Sequence, residues 1–472
     1  MAAPRTKLIC TLGPATAGPE QVRALVEAGC SVFRVNFSHG TPAEQAALVD
    51  AVLRVEADLG TCLGVMVDLP GPKVRLGELA EKSIRLRAEQ RFVLRAGGGP
   101  GDQDGAPISY PGLAGDVHPG DRIMLADGAV DLLVREVDGD VITECVRGGL
   151  IRPRAGVNVP AERLSLPAIG DRDREGLARA LDLGVTFVAQ SFVRGSGDVA
   201  ELRSLMGDRA VPIVAKLETR PAIDDAEAIL RTADAVMVAR GDLGVEMPME
   251  EIPMLQKELL AGARLAGVPG VVATQMLESM IRAPRPTRAE ASDVANAVLD
   301  GADAVLLSGE TAIGDYPVEA AEAATRIAAF AEERAGRFRL TGTACRHASE
   351  AAAVAHAAAQ VAAGDPDVVA IACFTETGLT ANLLSAERSG VGVYAFSPHL
   401  EVRRGLCLRW GLSPLAVADP VDTDSMIAAM DEGLRAASIA GEGDAVVMVA
   451  SSPAGRAKTN MLKVHHVGAP SG

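Results

Sequence analysis

The chain has 472 residues, of which 48% are hydrophobic and only 3% are aromatic, and its formal net charge at pH 7 is −16. An acidic surface repels nucleic acid and anionic lipid, so neither is expected as the main partner. The length exceeds that of one average domain, and we expect two or three. A core this poor in aromatic residues has to be built from Ala, Val, Leu and Ile, as in parallel sheets covered by helices.

Targeting signals and cysteine spacing bear on the location of the protein and on whether it has a zinc site or disulfides. No apolar run approaches the roughly 18 residues of a membrane-spanning helix, and the first residues lead into a predicted strand without a signal peptide. We therefore expect a cytoplasmic protein. The seven cysteines show no C-x-x-C spacing, which predicts neither a zinc site nor a disulfide framework.

Strand and helix patterns alternate at the start of the chain, where proline opens and glycine closes the helices. From about Gly77 to Arg163 the pattern changes to short β runs separated by Gly, Asp and Pro turns, which predicts an inserted all-β module. The alternation then resumes. The predicted strands outside the module are 6–12, 32–37, 63–69, 185–192, 213–218, 236–242, 270–274 and 304–308.

Eight strand-plus-helix units over roughly 250 residues match the size of a (β/α)8 TIM barrel. We therefore predict an α/β fold in which residues 1–76 and 164–337 form the barrel and residues 77–163 form the inserted module, a small β barrel. Residues 338–472 again alternate between helix and strand patterns, which predicts a C-terminal open α/β domain.

Two of the predicted barrel strands end in charge. The run 213–217 carries Lys216 and continues into Glu218, and the run 236–239 continues into Arg240 and Asp242. Buried charge is costly unless it is paired with another charge, a metal or an anionic ligand. A structural ion pair would explain any one of these residues, but four on adjacent strands favour a metal and phosphate site. Two carboxylates can hold Mg²⁺ and leave positions for water and substrate oxygens.

A barrel also predicts polar residues at the carboxyl ends of its strands, because that face carries the active site. An unrelated series of α/β units with ordinary polar caps would not explain Lys216 and Glu218 so near a strand interior. The sequence places these polar residues at the predicted ends: Arg34, Asn36, Ser38, Asp68, Ser191, Lys216, Glu218, Asp242, Thr274, Gln275, Ser308 and Glu310.

In the C-terminal region, the loop from Thr375 to Thr380 joins a strand to the start of a helix. Backbone N–H groups and hydroxyls at such a position can receive phosphate. The pattern alone equally fits a simple capping loop.

Five segments in order, each at a predicted strand end, resemble pyruvate kinase. The resemblance extends over nearly the whole chain, and the five together are highly specific. The segments are 33–40 (FRVNFSHG), 237–244 (MVARGDLG), 273–280 (ATQMLESM), 284–290 (PRPTRAE) and 308–312 (SGETA).

The resemblance implies phosphoryl transfer from phosphoenolpyruvate to ADP, giving pyruvate and ATP, with the inserted module as a lid over the site. It implies that Glu218 and Asp242 ligate Mg²⁺ or Mn²⁺. Lys216 would lie on the transferred phosphoryl group. The other residues it implicates are Arg34 and Arg75 in catalysis, Thr274, Gly241, Asp242 and Ser308 in substrate binding, and Asn36, His39 and Arg75 in nucleotide binding.

One position departs from the family pattern. Many members need a monovalent cation, held by residues that match Asn36, Ser38, Asp68 and the carbonyl of Leu69, and carry glutamate where this chain has Lys73. We predict that the ammonium group of Lys73 replaces K⁺, so that K⁺ is not required.

The resemblance also implies a homotetramer and a phosphorylated allosteric effector bound at Thr375, Thr377, Gly378 and Thr380. Two alternatives use the same scaffold. A Mg²⁺-dependent lyase or aldolase acting on an oxo-acid enolate would also need two carboxylates and an arginine. A non-catalytic metabolite sensor would have no physical reason to bury these charges together.

Overall fold

The structure is a computed structural model that describes residues 4–126, 128–335, 349–451 and 458–470. Eight parallel strands form a closed barrel, each paired with the next and the last paired with the first. The predicted TIM barrel is therefore confirmed. Its strands are β1 (Lys7–Leu12), β2 (Cys30–Asn36), β3 (Gly64–Leu69), β4 (Phe187–Gln190), β5 (Ile213–Leu217), β6 (Ala235–Ala239), β7 (Gly270–Ala273) and β8 (Ala304–Leu307).

The barrel strands are buried on both faces, which is why they read as continuous apolar runs. Every residue of β5 and β6 is buried. Inside the barrel, Ile9, Met66 and Met237 belong to one cluster, and a larger cluster lies between the strands and the helices. Small and β-branched side chains fill both layers, as the composition predicts.

The barrel helices begin and end largely where the local signals predict. Thr41 and Thr287 each form a capping box with a glutamate three residues later, and Gly60 closes a helix at φ 61°. The α-helices are Pro19–Glu27, Pro42–Leu59, Asp171–Asp182, Ser196–Met206, Arg220–Asp224, Ala226–Thr232, Arg240–Glu246, Ile252–Ala266, Arg288–Leu299, Gly309–Ala312 and Pro317–Ala335. The 3-10 helices are Pro14–Thr16, Ala161–Arg163, Gly207–Arg209 and Glu278–Ile281.

The inserted module has its own hydrophobic core, which includes Phe92, Ile123 and Leu132. Within its described residues the strands form a six-stranded sheet and a separate two-stranded sheet, and the small β barrel stays a prediction. The strands Val157–Asn158 and Gly105–Pro107 lie at the two edges of the larger sheet, and Arg75 and Leu76 lie between these edges, bridged to Gly156 and Ile108. The other strands are Ile84–Leu86, Arg91–Arg95, Arg122–Leu125, Val130–Asp138, Asp140–Arg147 and Gly149–Ile151, with one helix at Leu113–Asp116.

The C-terminal domain is a five-stranded sheet with helices Glu350–Gly364, Leu379–Ala386, Leu400–Leu406 and Thr423–Ala436. Its strand order is Leu412–Ala416, Gly392–Ser397, Val368–Phe374, Ala445–Ala450, Met461–His466, and only the last pairing is antiparallel. The strand Leu412–Ala416 was not predicted. It contains Pro414 and lies at the sheet edge, where a missing N–H is tolerated.

The domain boundaries stay predictions. Val74 and Leu76 pack into the core of the inserted module, and the boundary between residues 337 and 338 lies outside the described residues. Within the described ranges, no helix has the length and apolar character needed to cross a membrane.

Candidate active site

A cluster of buried charge lies at the carboxyl ends of β2, β3 and β5. Lys216 Nζ donates a hydrogen bond to Ser191 Oγ at 2.8 Å and lies 3.7 Å from Asp68 Oδ1. Asp68 also accepts from Ser191 Oγ at 3.1 Å and pairs with the guanidinium of Arg34 at 2.7 Å. The cluster thus assembles four of the polar residues that the sequence places at the ends of different strands.

Burial and opposite charges set the protonation states of this cluster. Burial by itself would lower the pKa of Lys216, but Asp68 and Glu218 outweigh it, and the pKa is raised. Burial would raise the pKa of Asp68, yet Lys216 and Arg34 together lower it. Lys216 is therefore a permanent buried cation beside a permanent buried anion.

Glu218 is fully buried and only partly satisfied. Its Oε1 accepts the N–H of Phe192 at 2.8 Å, whereas Oε2 lies 3.2 Å from Lys216 Nζ and receives no hydrogen bond from the described residues. Burial raises its pKa to about 7, and the nearby charge of Asp242 adds to the rise. Glu218 and Asp242 are thus close enough for their negative charges to repel each other.

These two carboxylates suit a divalent ion that takes its remaining ligands from elsewhere. The described residues contain no group of three or more His, Cys, Asp and Glu side chains able to hold a metal. Mg²⁺ usually binds through one or two carboxylates together with water and substrate phosphate oxygens. Glu218 Oε2, which accepts no hydrogen bond from the described residues, and the partly exposed Asp242 fit that donor set.

Asp242 lies in a helix and not in the strand that the sequence predicted over residues 236–242. β6 ends at Ala239, and Arg240, Gly241 and Asp242 form the first turn of the helix Arg240–Glu246. Thr274 follows β7 at φ 70°, a left-handed conformation that is rare for a β-branched residue, and its Oγ1 accepts the N–H of Gly241 at 2.8 Å. This strained turn brings Thr274 beside Gly241 and Asp242, and such strain clusters at functional sites.

Arg240 does not join the buried charge cluster, so the interpretation of all four charges as one site is wrong for this residue. Its guanidinium donates to the carbonyl of Thr274 at 2.6 Å and pairs with Asp293 at 2.6 Å. Arg240 is therefore a positioning residue that holds the strained turn at Thr274.

Lys73 contacts the site directly. Its Nζ lies 3.2 Å from Asp242 Oδ1 and 5.8 Å from the centre of the Phe192 ring. Asn36 Oδ1 accepts the N–H of Ser38 at 2.9 Å, and the carbonyl of Asp68 accepts the N–H of Phe37. Leu69 ends β3 and is buried.

The remaining site candidates lie around this centre. Burial lowers the pKa of His39, and the positive charges of Arg75 and Arg34 lower it further, so these three residues share one electropositive region. Arg75 also contacts the lid, since its Nη1 donates to the carbonyl of Arg154 at 3.3 Å. Ser308 follows β8, and its N–H donates to Glu310 Oε2 at 2.7 Å.

Two residues that the sequence analysis missed hold the lid connections. Asp173 accepts the N–H of Gly71 at 2.9 Å on the outgoing segment. Arg194 Nη1 donates to the carbonyls of Leu164 and Leu166, at 3.1 and 3.0 Å, on the returning segment. A charged residue inside the helix N-terminus, as at Asp173, is the one local signal, and it reads equally as a cap.

Two of the three threonine hydroxyls in the predicted effector loop already form hydrogen bonds within the protein. Thr375 Oγ1 accepts the N–H of Gly378 at 2.9 Å, and the Thr380 and Thr459 hydroxyls lie 2.6 Å apart. Thr377 is exposed.

A TIM barrel that gathers a lysine, an arginine and two carboxylates at its mouth, under a separately folded lid, defines a barrel enzyme of the phosphoryl-transfer class. Family models agree with this class: "Pyruvate kinase, barrel domain" matches residues 3–321 and "Pyruvate kinase, alpha/beta domain" matches residues 352–465. The chain belongs to the pyruvate kinase family.

Individual relatives cover the whole chain. A pyruvate kinase of Mycobacterium tuberculosis is 42% identical, and one of Corynebacterium glutamicum is 41% identical, each over 98% of both chains. The crystal structure of a pyruvate kinase from Cryptosporidium parvum superposes with a TM-score of 0.88 at 32% identity, over 98% of this chain and 96% of that one. A phosphotransferase is therefore favoured over the lyase and sensor alternatives.

Proposed function

We propose that the chain transfers the phosphoryl group of phosphoenolpyruvate to ADP, giving pyruvate and ATP. The observation that carries the proposal is the placement of Lys216, a buried ammonium 3.2 Å from Glu218 and 3.7 Å from Asp68. Phosphoryl transfer mainly requires that the reactants be aligned and that cations surround the transferred group. Lys216 is a fixed cation of this kind.

The roles of the other residues follow from their places around Lys216. Glu218 and Asp242 would hold Mg²⁺ or Mn²⁺, which when bound neutralises charge on phosphoryl and substrate oxygens. Thr274 and the N–H groups at Gly241 and Asp242 bind the substrate carboxylate, with Ser308 nearby. Arg34 binds phosphate, held in orientation by Asp68.

The electropositive region of Arg75, Arg34 and His39 is the proposed place for the nucleotide phosphates, with Asn36 on the same strand end as Arg34. Arg75 contacts the lid through Arg154, so that lid closure and phosphate binding are linked. A closed lid excludes water, which would otherwise compete with ADP for the phosphoryl group.

A coupled assay for pyruvate formation tests this function. Pyruvate should appear only when phosphoenolpyruvate, ADP and a divalent metal ion are all present, and ATP should form in equal amount. Pyruvate release without ADP would favour the lyase or a hydrolase, and an absence of turnover together with metabolite binding would favour the sensor.

We further propose that Lys73 makes the enzyme independent of K⁺. The ammonium group of Lys73 brings a positive charge to within 3.2 Å of Asp242. Wild-type activity in tetramethylammonium chloride should then change less than about twofold when KCl replaces it at equal ionic strength.

Replacing Lys73 by glutamate should make activity K⁺-dependent. Without K⁺ the new carboxylate faces Asp242 and we expect roughly a 10-fold or greater loss of kcat, because like charges at this distance repel. With KCl most of the loss should be recovered. Lys73→Gln is the matched control, since it removes the ammonium without adding a carboxylate, and its recovery should be weaker. Large K⁺ activation of the wild type would contradict the proposal.

The effector site, the tetramer and the cytoplasmic location stay predictions. Thr377 is the exposed hydroxyl of the loop, and the N–H of Gly378 is bonded to Thr375, so an effector phosphate would have to bind at Thr377 and rearrange the rest. Light scattering of the purified chain tests the homotetramer.

Replacing Thr377 by glutamate should abolish activation by phosphorylated metabolites. A carboxylate there repels a phosphate, while the residues of the active site, which lie in the barrel domain, are unaltered. The measurement compares the phosphoenolpyruvate concentration at half-maximal rate with and without sugar phosphates or nucleoside monophosphates. Thr423→Glu, at the start of another helix of the same domain, is the control. An unchanged response in Thr377→Glu would rule out this loop.

A further inference from the structure

Two cysteines from different domains meet at the end of the barrel opposite the active site. Cys62 lies in the connection between the helix Pro42–Leu59 and β3, and Cys407 directly follows the helix Leu400–Leu406 of the C-terminal domain. The Cys407 thiol donates a hydrogen bond to the carbonyl oxygen of Cys62, with Sγ 3.3 Å from that oxygen. These residues are 345 positions apart, so the contact depends on domain docking.

Both cysteines are held in place by a network that crosses the same interface. Arg404 Nε donates to Glu56 Oε1 at 2.9 Å, and the same oxygen accepts the N–H of Leu63 at 3.1 Å. The ion pair therefore fixes the segment on each side: Leu63 follows Cys62 and Arg404 precedes Cys407 by three residues. The thiols cannot drift apart while this docking persists.

The two thiols differ in their exposure to solvent and in the direction of their pKa shifts. Cys62 is half-buried and can be reached by a small reagent, whereas Cys407 is only 2% exposed. The neighbouring Cys407 thiol lowers the pKa of Cys62 to about 7, with a further contribution from Arg403 and against burial and Glu56. The pKa of Cys407 is raised by the neighbouring Cys62 thiol and by burial, although Lys7 opposes this.

A second pair of cysteines, in the barrel, provides a comparison for Cys62 and Cys407. Cys10 and Cys30 also influence each other's titration, but both are buried, and burial raises the pKa of Cys10. Neither thiol of that pair is accessible, and no arginine is among the described groups that shift the pKa of Cys10. Reactive cysteines need thiolate character and access together, and Cys62 has both.

We propose that Cys62 and Cys407 form a redox-active pair that closes into a disulfide between the barrel and the C-terminal domain. The oxidant is a small-molecule disulfide. The Cys62 thiolate attacks one sulfur of that disulfide and releases the other as a thiolate. Cys407 then loses its proton to solvent and attacks Cys62 Sγ, which releases the second small thiolate. One small disulfide is reduced to two thiols and two protein thiols are oxidised.

The resulting bond links the C-terminal domain to the barrel segment that leads into β3. β3 carries Asp68 at its far end and continues into the outgoing lid connection at Gly71. Oxidation would thus fix the docking of the two domains under the strand that supports the site.

Exposure of the full-length protein to oxidised glutathione tests the proposal. After removal of excess reagent, the intact mass should fall by that of two hydrogen atoms, and a non-reducing digest should contain a peptide pair joining Cys62 to Cys407. Both should disappear with dithiothreitol. Iodoacetamide should label Cys62 at least roughly 10-fold faster than Cys373, a buried thiol of the C-terminal domain.

Variants distinguish the role of Cys62, which attacks the small disulfide, from that of Cys407, which attacks Cys62. Cys407→Ser should retain glutathione on Cys62 as a stable mixed disulfide, and Cys62→Ser should show neither product. Cys145→Ser and Cys345→Ser are controls that should keep the joined peptide; Cys345 lies outside the described residues. A stable mixed disulfide on the wild type, a disulfide that requires Cys345, or labelling of Cys62 no faster than Cys373 would each overturn the proposal.

Discussion

Replacing Lys216 by methionine is expected to lower kcat for pyruvate formation by roughly 10³-fold or more. Methionine keeps most of the side-chain length and removes the charge that neutralises the phosphoryl oxygens. KM for ADP should change little, because the nucleotide phosphates are assigned to Arg75 and its neighbours. Steady-state kinetics with both substrates varied provide the measurement.

The same substitution has a structural cost that must be separated from the catalytic one. Lys216 offsets the charges of Asp68 and Glu218, and losing one partner of a buried ion pair typically destabilises a protein by about 3–5 kcal/mol. Glu218 can reduce this cost by taking up a proton, since its pKa of about 7 would rise further without Lys216.

Lys7→Met is the matched control. Lys7 is also a lysine on a barrel strand, partly buried, but it lies at the opposite end, where its Nζ donates to the carbonyl of Leu412. Its loss should lower the melting temperature and leave kcat within about threefold of wild type. Turnover by Lys216→Met equal to that of wild type would mean that the activity lies elsewhere on the molecule.

The barrel and the strand-end cluster were predictable because they follow from local patterns and closure. A strand of parallel sheet buried on both faces reads as an apolar run, and closing eight of them brings their carboxyl ends together. Residues such as Asp68, Ser191 and Lys216 are far apart along the chain, yet their positions at strand ends sufficed to group them.

Other features depended on contacts that local patterns do not encode. Arg240 and Asp242 stand two residues apart, but a helix begins at Arg240 and turns them to different neighbours, Asp293 and Lys73. The left-handed turn at Thr274 is stabilised by Arg240 from the preceding strand unit.

The lid connections show the same limit. The contact of Asp173 with Gly71 spans 102 residues, and that of Arg194 with Leu164 spans 30. Neither contact can be predicted from the spacing of residues in the sequence, because both depend on where the chain re-enters the barrel after the lid. The edge strand Leu412–Ala416 was missed because proline argues against a strand unless the edge position is known.

The second large effect is expected at Glu218, whose Oε2 accepts no hydrogen bond from the described residues. Glu218→Gln should raise the Mg²⁺ concentration at half-maximal rate by roughly 100-fold or more and lower kcat at saturating Mg²⁺, since a neutral amide is a poor ligand and its NH₂ would face Lys216. Asp242→Asn should do the same and also free Lys73 from its ion pair. Titration with Mn²⁺, followed by water proton relaxation, measures metal binding without turnover.

Glu310→Gln is the control that decides between metal binding and packing. Glu310 is another buried carboxylate near a strand end, but its two oxygens accept the N–H groups of Leu277 and Ser308 at 3.0 and 2.7 Å. Its neutralisation should cost stability and leave Mn²⁺ affinity unchanged. If Glu218→Gln bound Mn²⁺ as tightly as Glu310→Gln, the two carboxylates would not share an ion, and the burial of Glu218 beside Lys216 would have to be explained as a structural ion pair.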